Sequence, residues 1–334
     1  MSITIKKQGL FDTLQDEGRY GYQHLGINPG GVMDDFASKV ANMLVGNEPD
    51  EAVIEMHFPA SVFYFEKACV IALSGADFSA FINDKPVPLH TTIIVSASST
   101  LEFKQYKTGA RCYFAVQGGW NADYWLNSYS TDVKVKAGGF DGAALKKNQT
   151  LHCKAEQFYF QRFHHGDIII TNIQADTKHL YPAKNMVRYI NGPEHNLLDN
   201  SSIQAFNSSA FTISLQSDRM GYRLNGPLLK TSVTQIISSA VTKGTIQLLP
   251  DGNLIILMAG HQTTGGYPRT AQVVASDIPS LAQMQPNTSI NFTHVSVNEA
   301  EKIFIQRQQY LQDIAAACNF QLKEFLAAYD FNRS

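Results

Sequence analysis

Short apolar runs separated by clusters of Gly, Asn, Ser or Pro fill most of the chain. Cys69–Leu73, Thr92–Val95, Leu101–Phe103, Cys112–Val116, Ile168–Ile173, Val187–Ile190, Thr245–Leu249, Leu254–Met258 and Ser289–Val295 read as strands. Met1–Lys7 alternates as a half-buried strand does. Short strands at this spacing, with few helical periods between them, predict β-barrels or sandwiches and argue against a doubly wound parallel sheet.

Two segments break the rule. Met33, Phe36, Ala37, Val40, Ala41 and Leu44 recur at the spacing of one helix face, so Met33–Val45 is predicted helical. Asp34 and Asp35 suit the positive end of its dipole, and Gly46 stands where a C-terminal cap belongs. A second helix is expected to start near Ser296, with either Ser296/Glu299 or Asn298/Glu301 as its capping box. It is expected to run towards Tyr329 with a break near Asn319. The strand pattern lapses over Thr177–Ala183, which divides the chain into an N-terminal β-rich part, 1–180, and a C-terminal part, 181–334.

Composition narrows the class. The chain has 334 residues, 44% hydrophobic and 17% charged, with a net charge of −2, so neither disorder nor a polyanionic partner is indicated. No apolar run approaches the roughly 20 residues of a membrane helix, and the N-terminus lacks the apolar core of a signal peptide. A cytoplasmic location is expected. Cys69, Cys112 and Cys153 lie in or beside strand-like stretches and are expected to be buried free thiols.

Several chemistries are missing from the sequence. There is no Walker phosphate loop, no GxSxG and no HExxH. His164 and His165 are adjacent, and strand neighbours point to opposite faces, so no metal site is expected.

Four polar clusters remain. Gln15-Asp16-Glu17-Gly18-Arg19 precedes the loop Asn28-Pro29-Gly30-Gly31-Val32-Met33-Asp34. A glycine loop entering a helix is an anion site, unless Asp34 itself caps the helix. Asp16 and Arg19 form either a structural ion pair or a catalytic one. Gly118-Gly119, followed by Ser128-Tyr129-Ser130-Thr131-Asp132, offers close backbone approach and hydroxyls, or merely turn chemistry. Ser217-Asp218-Arg219-Met220-Gly221-Tyr222-Arg223 offers two planar grips for carboxylate or phosphate, or else internal salt bridges to Asp218 and Glu194.

The richest cluster is Gly260-His261-Gln262-Thr263-Thr264-Gly265-Gly266-Tyr267-Pro268-Arg269, between two strand-like runs. Its paired glycines permit positive φ and close approach to another molecule. It carries more polar side chains than a reversal requires, and the competing reading is a hairpin whose hydroxyls bond back to their own backbone.

These clusters, in order with Leu44–Asn47, Glu55, Ser74–Asp77 and Gly192-Pro193-Glu194, resemble the biotin-dependent carboxyltransferase / allophanate hydrolase subunit 2 family over residues 3 to 305. The resemblance implies a mainly β fold of two cyclophilin-like β-barrel subdomains, with a short helix in the N-terminal half and a C-terminal helix. It implies an ATP-dependent 5-oxoprolinase subunit that opens 5-oxo-L-proline to L-glutamate, with ATP, carrying magnesium, as co-substrate. The implied partners are a B subunit (KipI/allophanate hydrolase subunit 1-like) and an A subunit (LamB/YcsF-like). The candidate catalytic residues are Arg219, Arg223, Gln262 and Tyr267, and the candidate substrate-binding residues Arg19, Asp34, Thr263, Thr264, Gly265 and Gly266.

The sequence departs from the family pattern in four places. Gly260 replaces an Asp, Tyr129 and Ala143 replace arginines, and Asn148-Gln149 replaces Gly-Asp. Two other activities fit the resemblance. One is a carboxyltransferase moving a carboxyl group from carboxybiotin to urea or another acceptor. With no Ala-Met-Lys-Met here, biotin is not expected on this chain and would arrive on a partner. The other is a KipA-like non-catalytic regulator that binds a KipI-like inhibitor of a sporulation kinase.

Overall fold

The computed structural model describes residues 1–154, 166–181 and 185–331; His164, His165, Pro182 and Ala183 lie outside them. The fold is mainly β, as expected, and every strand predicted above is present with ends shifted by a few residues. The chain divides into two compact units. One gathers Met1–Gly18, Asp34–Lys178 and Gln309–Ser334, the other Arg19–Met33 and His179–Gln308.

The first unit holds two antiparallel sheets of seven and six strands. In the larger sheet, Ser2–Lys7 lies between Thr150–Cys153 and Val62–Phe65. Ile3, Ile5, Phe63 and Phe65 point inward, the alternation of a sheet with one wet face. In the smaller sheet, Thr91–Val95 and most of Cys69–Asp77 are buried on both faces. The reason is the helix α1, Asp35–Leu44, which packs on Cys69–Asp77 and Thr108–Val116. Strands covered on both sides read as continuous apolar runs, which is why Cys69–Leu73 was legible without alternation. Cys69, Cys112 and Cys153 are buried free thiols in this core.

Asp34 caps α1: its Oδ1 accepts the Ala37 N–H at 3.0 Å. Its own N–H donates to the Tyr113 hydroxyl (2.8 Å), which donates to Glu55 (2.9 Å), both fully buried. Gly46 follows the helix at φ +74, and a Cβ there would strike Leu322 at 2.8 Å.

The second unit is a closed seven-stranded barrel. Met186–Asn191 pairs in parallel with Ser289–His294 to close it, and its other pairings are antiparallel. Two short helices, α2 (Asn200–Ser208) and α3 (Ile278–Ala282), also belong to this unit. The long helix α4, Val297–Phe331, begins with the box Ser296/Glu299: the Glu299 N–H donates to Ser296 Oγ (3.2 Å) and the Ser296 N–H to Glu299 Oε2 (2.8 Å). The expected break near Asn319 does not occur. Leu311, Ile314, Cys318 and Leu322 make one buried stripe through that region, so packing holds the helix where local sequence falters.

Candidate functional site

In the first unit, polar residues that looked like chemistry turn out to hold turns. Asp16 Oδ1 accepts from the hydroxyls of Ser128 and Ser130, each at 2.6 Å, and from the Gly18 N–H at 2.8 Å. Its Oδ2 accepts the Tyr129 N–H at 2.6 Å. Two clusters distant in sequence are thus one hydrogen-bonded knot. Gly118 donates to Asn47 Oδ1 at 2.7 Å, and a Cβ on Gly119 would lie 2.5 Å from the Glu51 side chain. Gly119 makes room for Glu51, whose carboxylate pairs with Lys154 at 2.9 Å.

The second unit assembles the stronger site at one end of its barrel. The registers put the start of Gly221–Asn225, the end of Leu254–Leu257 and the start of Thr245–Leu248 at that end. The polar flanks of these strands therefore converge: Arg219 before the first, His261 after the second, Lys243 before the third. Lys243 Nζ donates to the carbonyls of Val32 (2.9 Å) and Met33 (3.0 Å), and the Arg219 guanidinium donates to Gly31. Gly30 and Gly31 adopt φ +65 and +89, which turns this stretch of backbone towards the two cations. The loop read as an anion cradle presents carbonyls here, and Asp34 takes the helix N-terminus instead. Arg19 is fully buried, with its N–H on the Pro29 carbonyl at 2.7 Å.

His261 is 3% exposed. Its Nδ1 lies 2.6 Å from the Gln262 carbonyl, and burial, then the charge of Lys243, push its pKa below the usual value. Gly260 donates to the Arg219 carbonyl at 2.7 Å, and a Cβ at position 260 would sit 3.1 Å from that oxygen. The Gly in place of the family's Asp thus lies backbone-to-backbone against the arginine.

From His261 the chain crosses to the opposite end of the barrel, where Arg269 pairs with Gln247 in register. Along this crossing Gln262, Thr264 and Tyr267 are exposed, and Thr263 is half-buried. Thr264–Gly265 pairs with Ser239–Ala240, and Ile236 donates to the Gly266 carbonyl at 2.9 Å. Neither Gly265 nor Gly266 has positive φ, which corrects the conformational reading of the pair. They are small for want of space: a Cβ would meet Gln247 Nε2 at 2.5 Å from Gly265, or the Ile236 carbonyl at 3.2 Å from Gly266. The close neighbour is this chain's own backbone and amide.

Arg269 makes a two-pronged pair with Glu194, 2.9 Å from Nε and 2.7 Å from Nη2, and donates to the Ala240 carbonyl. That hydrogen-bonded pairing lowers the Glu194 pKa. Glu194 therefore serves Arg269 in place of Arg219 or Arg223, and Asp218 accepts the Met220 N–H at 2.7 Å. Arg223 is exposed on the barrel wall, where its charge acts on Asp251. Of the residues expected from sequence, the structure gathers Arg219 with the start of the Gly260–Arg269 run and leaves Arg223 apart. Lys243 was missed because Val241-Thr242-Lys243-Gly244 has no feature of its own. Only the barrel register brings it to His261. No cluster of three or more metal-ligating side chains occurs among the described residues. No described helix is long and apolar enough to cross a membrane.

Residues 25–294 match the family model of the carboxyltransferase domain, subdomain A and B. The chain is 33% identical over 314 residues to the C subunit of 5-oxoprolinase from Escherichia coli, covering 94% of this chain and 97% of that one. Among solved structures it resembles TTHA0988 (TM-score 0.74, 26% identity), covering 87% of this chain and 55% of that one. It also shares its fold with the Kluyveromyces lactis urea amidolyase (TM-score 0.85, 24% identity), covering 94% of this chain but 20% of that one.

Proposed function

The chain belongs to the carboxyltransferase-domain family, and from that premise we propose that it is the C-type subunit of an ATP-dependent 5-oxoprolinase. The carrying observation is the end-to-end correspondence with a protein named as the C subunit of 5-oxoprolinase, against a match to a small fraction of the yeast urea amidolyase. An unstrained lactam is a poor electrophile, so ATP would serve as co-substrate that activates the ring carbonyl. The cations fixed at the barrel end, Arg219 and Lys243, suit the negative charge that develops, since preorganised donors stabilise it without reorganising. Gln262 and Tyr267 are proposed to act in the reaction and Thr263 and Thr264 to contact the substrate; the exposure of Gln262, Thr264 and Tyr267 supports this reading. The work is divided with partners: a B subunit of the allophanate hydrolase subunit 1 type and an A subunit of the LamB/YcsF type. If the chain acted in carboxyl transfer, a biotin-bearing partner would replace them.

The test is co-expression with each partner set. Glutamate formed from 5-oxo-L-proline only when ATP is present supports the proposal. Carboxyl transfer to urea with a biotinylated partner, and no glutamate with the first set, refutes it.

A further inference from the structure

We propose that His261 is the proton acceptor of the barrel-end site, with Lys243 beside it to hold the anionic group of the substrate. The identity of the substrate rests on the 5-oxoprolinase reading; the state of the imidazole does not.

A carbonyl oxygen only accepts, so the 2.6 Å contact with Gln262 places the proton on Nδ1. In a neutral ring the lone pair is then on Nε2. Burial disfavours the charged imidazole and the charge of Lys243 disfavours it further; together they outweigh the Gln262 carbonyl, which favours it, and the pKa falls below the ordinary value. The ring is also held in place. The backbone N–H of His261 donates to the Met258 carbonyl (3.1 Å), and the preceding Gly260 is tied to the Arg219 carbonyl. Two charged groups flank the site: Lys243, immobilised by two carbonyls, and Arg219, whose guanidinium is on Gly31.

Lactam opening needs such a base. ATP, the co-reactant, transfers its terminal phosphoryl group to the ring carbonyl oxygen and leaves as ADP. As water attacks, its O–H bond breaks with the proton going to Nε2, its oxygen pair forms the bond to the ring carbon, and the displaced C=N pair moves onto nitrogen. When the C–N bond breaks, its pair stays on nitrogen, which takes that proton back from Nε2, while the water-derived oxygen gives its other proton to solvent and closes to C=O. The acyl phosphate so formed releases phosphate to a second water, and the imidazole ends as it began. Lys243 makes the transient imidazolium unfavourable and so speeds the return of the proton.

The sequence alone hides this role, because His261 sits in a run whose threonines and glycines draw attention first. In the assembled complex, His261→Asn keeps a donor for the Gln262 carbonyl but has no acceptor at the Nε2 position. It should lower kcat by about 100-fold and leave KM within about threefold. Lys243→Met should raise the imidazole pKa, moving the acid limb of kcat/KM to higher pH, and Lys243→Arg should restore it. In the isolated chain, nitrogen NMR should show the Nδ1–H tautomer titrating below the ordinary value of about 6.5. Unchanged kcat in His261→Asn overturns the proposal. So does an imidazole protonated on Nε2, or one titrating above 6.5. If the wild-type complex leaves 5-oxoproline untouched, the substrate reading has failed, and the tautomer and titration decide the inference by themselves.

Discussion

Gly265 shows how a residue can be read correctly as special and for the wrong reason. Two adjacent glycines in a polar turn suggest positive φ, yet the backbone there is ordinary and the constraint is steric. Sequence reports that a side chain is missing but not what fills its place. Here the filler is Gln247, 1% exposed and donating to the Tyr267 carbonyl at 3.3 Å. Gly265→Ala should therefore destabilise the protein by roughly 1–3 kcal/mol, the usual range for overpacking. Gly266→Ala should cost less, since the Ile236 carbonyl at 3.2 Å needs to give only slightly. Combining Gly265→Ala with Gln247→Ala should recover roughly 1 kcal/mol relative to the sum of the two single changes, because the second removes the clashing amide. Denaturant midpoints of the four proteins measure this. Additive losses would mean that the amide is not the obstacle. Asp16 teaches the same lesson from the other side: its acidity and its arginine neighbour suggested an ion pair, structural or catalytic, and its carboxylate engages the nearby Gly18 N–H together with two hydroxyls and an N–H more than 100 residues away.

At the scale of elements the sequence is far more legible, because strand and helix periods are local properties. All the predicted strands form, and α1 starts one residue after its cap, where Asp34 and Asp35 said it would. The misses are where tertiary packing outweighs local preference, as in the unbroken α4. Asp34 stood as either a substrate ligand or a helix cap, and the two roles make opposite forecasts. As a cap accepting the Ala37 N–H, Asp34→Ala should cost about 1–2 kcal/mol, whereas Asp34→Asn, which caps nearly as well, should cost little. A substrate ligand would behave differently: Asp34→Asn would abolish activity of the complex at unchanged stability. Thermal or denaturant melts, run beside the activity assay on both variants, separate the two.

The whole molecule is where sequence reading stops. Alternation marks a strand but not its partner, and the parallel pair that closes the barrel joins Met186–Asn191 to the distant Ser289–His294. That closure is what brings Arg219, Lys243 and His261 to one end, so Lys243 could not be assigned to the candidate site before the topology was known. The compact units likewise draw on separate stretches: Arg19–Met33 joins the barrel unit, and Gln309–Ser334 joins the other. The division of labour between chains follows the same logic. The sequence has no phosphate loop, and the relative matched end to end is named as one subunit of an enzyme. The proposed base and the two fixed cations would suit the opening of an activated ring, but they would not make the activated species. The purified chain alone should therefore yield no glutamate from 5-oxo-L-proline and ATP, while adding the purified A- and B-type partners should switch production on. Glutamate release by the single chain, with contaminating partners excluded by mass spectrometry, would place the whole reaction within this one polypeptide and overturn the proposed sharing of the work.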